Sequence, residues 1–63
     1  MSAMRYVYWQ DGECWIGYLE EFPDYETQGS TKSDLEEHLR DLYKDLANGA
    51  IPNVRRVGVL ESA

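Results

Sequence analysis

One feature limits the fold of this chain more than any other: a stripe of leucines. Leu35, Leu39, Leu42 and Leu46 stand at steps of four, three and four. At about 100° per residue they fall within roughly 60° of one another on a helix. The spacing predicts a helix over residues 32–48. His38 and Tyr43 flank the stripe, and Glu36, Glu37, Arg40, Asp41 and Lys44 cover the far side. A stripe this narrow docks on one surface and leaves the rest wet. The ends are marked too. Ser30 and Thr31 can accept hydrogen bonds from the first free N–H groups, and Asp34, three after Thr31, makes a weak capping box. Asp34, Glu36 and Glu37 place negative charge at the positive end of the helix dipole. Asn48-Gly49 ends the helix, since Gly adopts the left-handed C′ conformation without strain, and Pro52 prevents its resumption.

The surface for that helix is a small sheet. Met4–Gln10 and Glu13–Leu19 are rich in aromatic and β-branched residues, which suit strands. Asp11-Gly12 between them signals a hairpin with a two-residue type I′ turn. That turn would set Gln10 opposite Glu13, Trp9 opposite Cys14, Tyr8 opposite Trp15, Val7 opposite Ile16 and Tyr6 opposite Gly17. One face then carries Met4, Tyr6, Tyr8, Trp15, Gly17 and Leu19, without charge, and Gly17 leaves room for close approach. The helix belongs there. The other face carries Arg5, Val7, Trp9, Cys14, Ile16 and Tyr18. Nothing else in a chain of 63 residues can cover Val7, Trp9, Ile16 and Tyr18, so these four are either scattered exposed side chains, which monomers tolerate, or the expected contact surface, with another copy or with a partner.

Residues 20–24 read as a connection, with Pro23 unable to donate to a ladder and Asp24 favouring a turn. Tyr25–Gln28 reads as a short third strand, and Gly29 as a tight break before the helix cap. Residues 50–55 form a loop, and Arg56–Glu61 a final strand. A strand that follows one helical crossover can lie parallel to an earlier one. The expected fold is therefore α+β, a β-β-β-α-β domain over residues 4–61, with a mixed sheet of order 3-2-1-4 and the helix on one face. Residues 1–3 are expected to be a disordered start or a cloning remnant.

So short a chain buries only about 60% of its unfolded surface, and such a core seldom supplies more than ~3–5 kcal/mol unaided. Cys14 is the only cysteine, which excludes an internal disulfide. One His and one Cys on different elements make a poor metal site. Self-association is the remaining common remedy, so a homo-oligomer is expected, through Val7, Trp9, Ile16 and Tyr18 or the edge of the last strand. The net charge of −6 argues against direct nucleic-acid contact, which rests on Lys and Arg, and suits a basic protein partner. No apolar run approaches the ~20 residues that span a membrane. Without a secretion signal and with a single thiol, the expected location is the cytoplasm.

The stretch FPDYETQGSTKSDLEEHL, residues 22–39, following an N-terminal hairpin, resembles the HicB family of antitoxins. The family pattern has an apolar strand, a proline-bearing loop, a TQGDT-like turn and an LEEAL-like helix. The likeness runs from Met4 onward, with Thr27-Gln28-Gly29-Ser30-Thr31 its most specific part. It implies a partial ribonuclease H-like fold in a cytoplasmic protein that neutralises a HicA-type toxin, a small basic ribonuclease. Many members add a DNA-binding segment after this domain. The sequence reaches Ala63 directly after the last expected strand, so operator binding is not carried over.

No catalytic, cofactor or metal site is expected. A ribonuclease H-like nuclease needs converging carboxylates on a divalent metal, and Tyr6, Val7 and Tyr8 of the first strand supply none. His38 could serve as a base, but no nucleophile partners it, and it reads as a helix-flank residue resting its ring on the core. Cys14 reads as a small apolar residue. Glu20, Glu21, Asp24 and Glu26 cluster on the connection and third strand. They either protect an edge from aggregation or form the patch that steers a basic toxin. Arg55-Arg56 suits a local ion pair. The functional expectation is a non-catalytic binding domain, either an antitoxin or a stand-alone homo-oligomer of the same fold.

Overall fold

The computed structural model describes residues 3–62; residues 1–2 of the expected disordered start lie outside them. Three strands and one helix follow in order: β1 (Tyr6–Asp11), β2 (Cys14–Leu19), β3 (Glu26–Gly29) and α1 (Lys32–Ala47). The sheet is antiparallel throughout, with order β1-β2-β3. The architecture is α+β as expected, with the helix on the expected face.

The hairpin differs from expectation in its turn. Asp11 pairs with Cys14, so the two-residue loop is Gly12-Glu13 rather than Asp11-Gly12. Gly12 has φ 63°, and neither Asp11 nor Glu13 has positive φ. A type I′ turn needs positive φ at both central residues, whereas type II′ needs it only at the first, where glycine stands here. Trp9 therefore pairs with Ile16, Tyr8 with Gly17 and Tyr6 with Leu19. The slip is two residues. A slip of one would exchange the faces, but a slip of two preserves them, so both face assignments hold.

The fourth strand is absent among the described residues, and the sheet has three strands, not four in order 3-2-1-4. Residues 54–62 run without regular structure. One ladder-like bond, from Val57 N–H to the Glu21 carbonyl at 3.1 Å, fixes the segment beside the 20–24 connection. From there it leaves the body: Val57 is 56% exposed, Val59 92% and Leu60 96%. The reason lies in the pairing requirement. β-branched composition fits a pleated surface only where a strand edge lies alongside, and this segment is anchored at the connection.

The helix follows its sequence signals. Thr31 Oγ1 accepts from Asp34 N–H at 3.0 Å, and the Asn48 N–H caps onto the Lys44 carbonyl. Gly49 follows at φ 83°. The Asp34 carboxylate departs from the capping-box pattern: it accepts from the N–H (3.0 Å) and hydroxyl (3.2 Å) of Ser30, one residue before the cap. Leu35, Leu39 and Leu46 are buried with Leu19 and Phe22, and Leu42 and Tyr43 pack half-buried against them. Phe22, expected in a plain connection, is 1% exposed, with Tyr25 and Tyr43 edge-on at 6.5 and 6.3 Å. The connection turns tightly, Phe22 N–H to Leu19 C=O and Tyr25 N–H to Phe22 C=O, and that drives the ring inward.

Two glycines set how near the helix lies. A Cβ on Gly17 would stand 2.7 Å from the Val7 carbonyl and 3.2 Å from Leu35 Cδ2. On Gly29 it would stand 2.5 Å from Leu35 N and 2.9 Å from Leu35 Cα. Gly29 was expected to supply a conformational break; its φ is ordinary, and it serves instead as a seat for the helix backbone. The helix rests on β2 and β3.

Candidate functional site

The four residues expected to form a contact surface do share one face. Trp9 pairs with Ile16 and Val7 with Tyr18 in the ladder, and all four point away from the helix. Val7 is 37% exposed and Trp9 38%, while Ile16 and Tyr18 are half-buried. Trp9 and Tyr18 meet edge to face, centroids 6.2 Å apart at 67°, a preferred aromatic arrangement. Cys14 is exposed on the same face. It does not pack as a small apolar residue, because the β3 ladder reaches only Trp15 and leaves Cys14 without a neighbour on that side.

Charges ring this face. Arg5 and Glu20 extend the β1–β2 ladder by one step, Glu20 N–H donating to the Arg5 carbonyl at 2.9 Å. Their side chains form an ion pair at 3.4 Å. Glu26 stands opposite Tyr18, and Asp11 opposite Cys14. Carboxylates therefore predominate over Arg5 on this face.

The acidic quartet is divided by its partners. Glu20 is held by Arg5, and Asp24 by Arg55 at 3.4 Å, with the Arg55 N–H also donating to the Tyr25 hydroxyl at 3.2 Å. Glu21 accepts from Val57 through its backbone, and Glu26 belongs to the open sheet face. Arg56 lies over the Phe22 ring, 5.4 Å from its centroid. The basic pair is thus split between an ion pair and a cation–π contact.

On the helix side, Glu36 does not point to water as its place on the far side suggested. It accepts the Tyr6 hydroxyl at 2.5 Å, which pushes the Tyr6 phenol up to about 12, assisted by partial burial. Lys32 sits over Tyr8, 4.7 Å from the ring centroid. A cavity of about 230 Å³, bounded by Met4, Tyr6, Leu19, Glu36, Leu39 and Arg40, opens where the helix passes β1.

His38 does not rest on the core. Its Nδ1 bonds the Gln28 carbonyl and its Nε2 lies 3.5 Å from Asp34 Oδ1. The Gln28 carbonyl, then the Asp34 charge, raise the imidazole above its ordinary 6.5. The Ser30 N–H holds Asp34 below its ordinary 3.8 against the opposing cost of burial, helped by the His38 charge and the Ser30 hydroxyl. The cluster ties the end of β3 to the first turns of the helix, a structural duty legible only once Gln28 and His38 are known to adjoin.

Among the described residues no group of three or more His, Cys, Asp or Glu is placed to hold a metal, and no helix is long and apolar enough to cross a membrane. No known protein family, curated protein or solved structure matches this chain.

Proposed function

We propose that this chain is a non-catalytic protein-binding domain of the HicB antitoxin type, acting in the cytoplasm, whose open sheet face takes a small basic ribonuclease. One observation supports the reading above the rest: an aromatic sheet face, uncovered by its own chain and rimmed by Glu20, Glu26 and Asp11, on a molecule of net charge −6. Aromatic anchors dominate binding energy at protein interfaces, while opposite charge at the rim governs encounter rate. Glu21 and Glu26 carry the steering role best, because Glu20 and Asp24 already have arginine partners.

The direct test is RNA cleavage by a purified HicA-type ribonuclease, with and without stoichiometric chain. The reading expects inhibition that weakens as salt rises, and an on-rate lowered several-fold by Glu21→Lys with Glu26→Lys. Full cleavage at every salt concentration excludes it. A second reading, a stand-alone homo-oligomer, is favoured by the exposed apolar segment at residues 57–60.

A further inference from the structure

Three observations concern the free edge of β1. β1 is the outer strand of the sheet, paired on one side only, to β2. An apolar segment, Val57-Gly58-Val59-Leu60, leaves the body after the Val57–Glu21 bond, with Val59 and Leu60 92% and 96% exposed. And the chain is not closed on itself. Its radius of gyration is 13.0 Å and its long axis 45 Å, where a compact chain of this length has a radius near 11 Å. Its accessible surface is 5100 Å², roughly 900 Å² above that of a compact monomer of this mass. That excess is about one partner's share of a standard interface.

We infer that residues 55–61 form an exchanging arm, which gives up the Arg55–Asp24, Arg56–Phe22 and Val57–Glu21 contacts of the single copy and adds as an antiparallel strand to the free β1 edge of a second copy of this chain. Charge decides the direction. With the arm antiparallel, Arg55 faces Asp11 and Glu61 faces Arg5, opposite charges at both ends. Between them Val57 lies beside Trp9 and Val59 beside Val7, on the open face. With the arm parallel, Arg55 faces Arg5 and Glu61 faces Asp11, like charges at both ends. Like charges directly opposite in a ladder are destabilising.

Direction then decides the copy. Arg5, Glu20, Asp24 and Arg55 all sit at one end of the sheet, linked by the Arg5–Glu20 and Arg55–Asp24 pairs, and Asp11 lies at the other end of β1. At about 3.3 Å per residue those ends are roughly 20 Å apart. An arm leaving beside Glu21 can only run along its own β1 in parallel. The antiparallel register belongs to a second copy, and two-fold symmetry makes the exchange reciprocal.

The cavity agrees. In the antiparallel register Leu60 faces Tyr6 on the helix side, where Met4, Tyr6, Leu19 and Leu39, with Glu36 and Arg40 at the rim, leave about 230 Å³. In the parallel register Leu60 would face Gln10 and leave that cavity empty. The exchange goes beyond the toxin reading and keeps the open face available, widened by Val57 and Val59.

The test has two parts. Light scattering of the full chain at tens of micromolar should give twice the 7.3 kDa mass, and Val59→Lys should give a monomer with unchanged helix circular dichroism, since Val59 is 92% exposed in the single copy. A monomeric wild type, or a Val59→Lys protein with undiminished dimer, overturns the proposal. For register, in a Cys14→Ser background, Val7→Cys with Val59→Cys should oxidise to a covalent dimer. Val7→Cys with Val57→Cys should not. An intrachain disulfide in the second pair shows the parallel arm and overturns the exchange.

Discussion

Single side chains carry much of this fold because the core is so small. Leu19, Phe22, Leu35, Leu39 and Leu46 are its buried apolar members. Truncating a buried Phe costs about 3–5 kcal/mol, as much as a domain of this size has to lose. Phe22→Ala should therefore be largely unfolded at 25 °C, which far-UV circular dichroism reads directly. Gly29→Ala should cost about 1–3 kcal/mol or more, the range for overpacking, because its Cβ would meet helix backbone at 2.5 Å, and backbone cannot rotate aside. Urea unfolding measures the loss. Thr31→Ala should cost about 1 kcal/mol by removing the cap. The link between His38 and Asp34 has a pH signature. The raised imidazole contributes fully below pH 6.5, and its contribution fades as pH rises through the folded value. The lowered carboxyl contributes above pH 3.8 and fades as pH falls through its folded value. The His38 NMR titration should have its midpoint above 6.5, and Asp34→Asn should return it toward 6.5.

At the scale of elements, the helix was almost wholly legible, since the leucine stripe, Thr31 and Gly49 are local signals that act within one turn. The sheet faces were legible for a different reason: alternation has a period of two, so an error of two residues in the turn left Val7, Trp9, Ile16 and Tyr18 where expected. The turn differs from expectation because Asp-Gly fits two positions in a hairpin, and the ordinary φ of Asp11 and its pairing with Cys14 distinguish them. Gly12→Val should cost about 1–2 kcal/mol, the penalty for a Cβ at positive φ, whereas Asp11→Asn should be nearly neutral; thermal melts separate the two. The last segment misled because Val57, Val59 and Leu60 have strand composition without an edge of their own chain beside them. Phe22 was hidden by its neighbours Glu21, Pro23 and Asp24, which read as surface.

At the scale of the whole molecule, the candidate site was legible as a face but not as a charge distribution. Arg5 and Arg55 come to Glu20 and Asp24 through long-range pairing, which no local spacing encodes. If two copies share an arm, melting should depend on concentration, the midpoint rising as protein is added, because anything that binds only the folded state stabilises it by mass action. The off-centre seat of the helix has a further consequence. It rests on β2 and β3, so within one copy β1 is secured by one ladder, by the Tyr6–Glu36 bond and by the Lys32 contact with the Tyr8 ring. Opening is then expected to proceed in steps. Amide protons of β2, β3 and the helix interior should exchange with deuterium only on global unfolding. In the monomeric Val59→Lys protein those of β1 should exchange sooner, by a rupture that detaches the first strand while the rest of the molecule stays folded, and in the dimer the partner's arm should slow them.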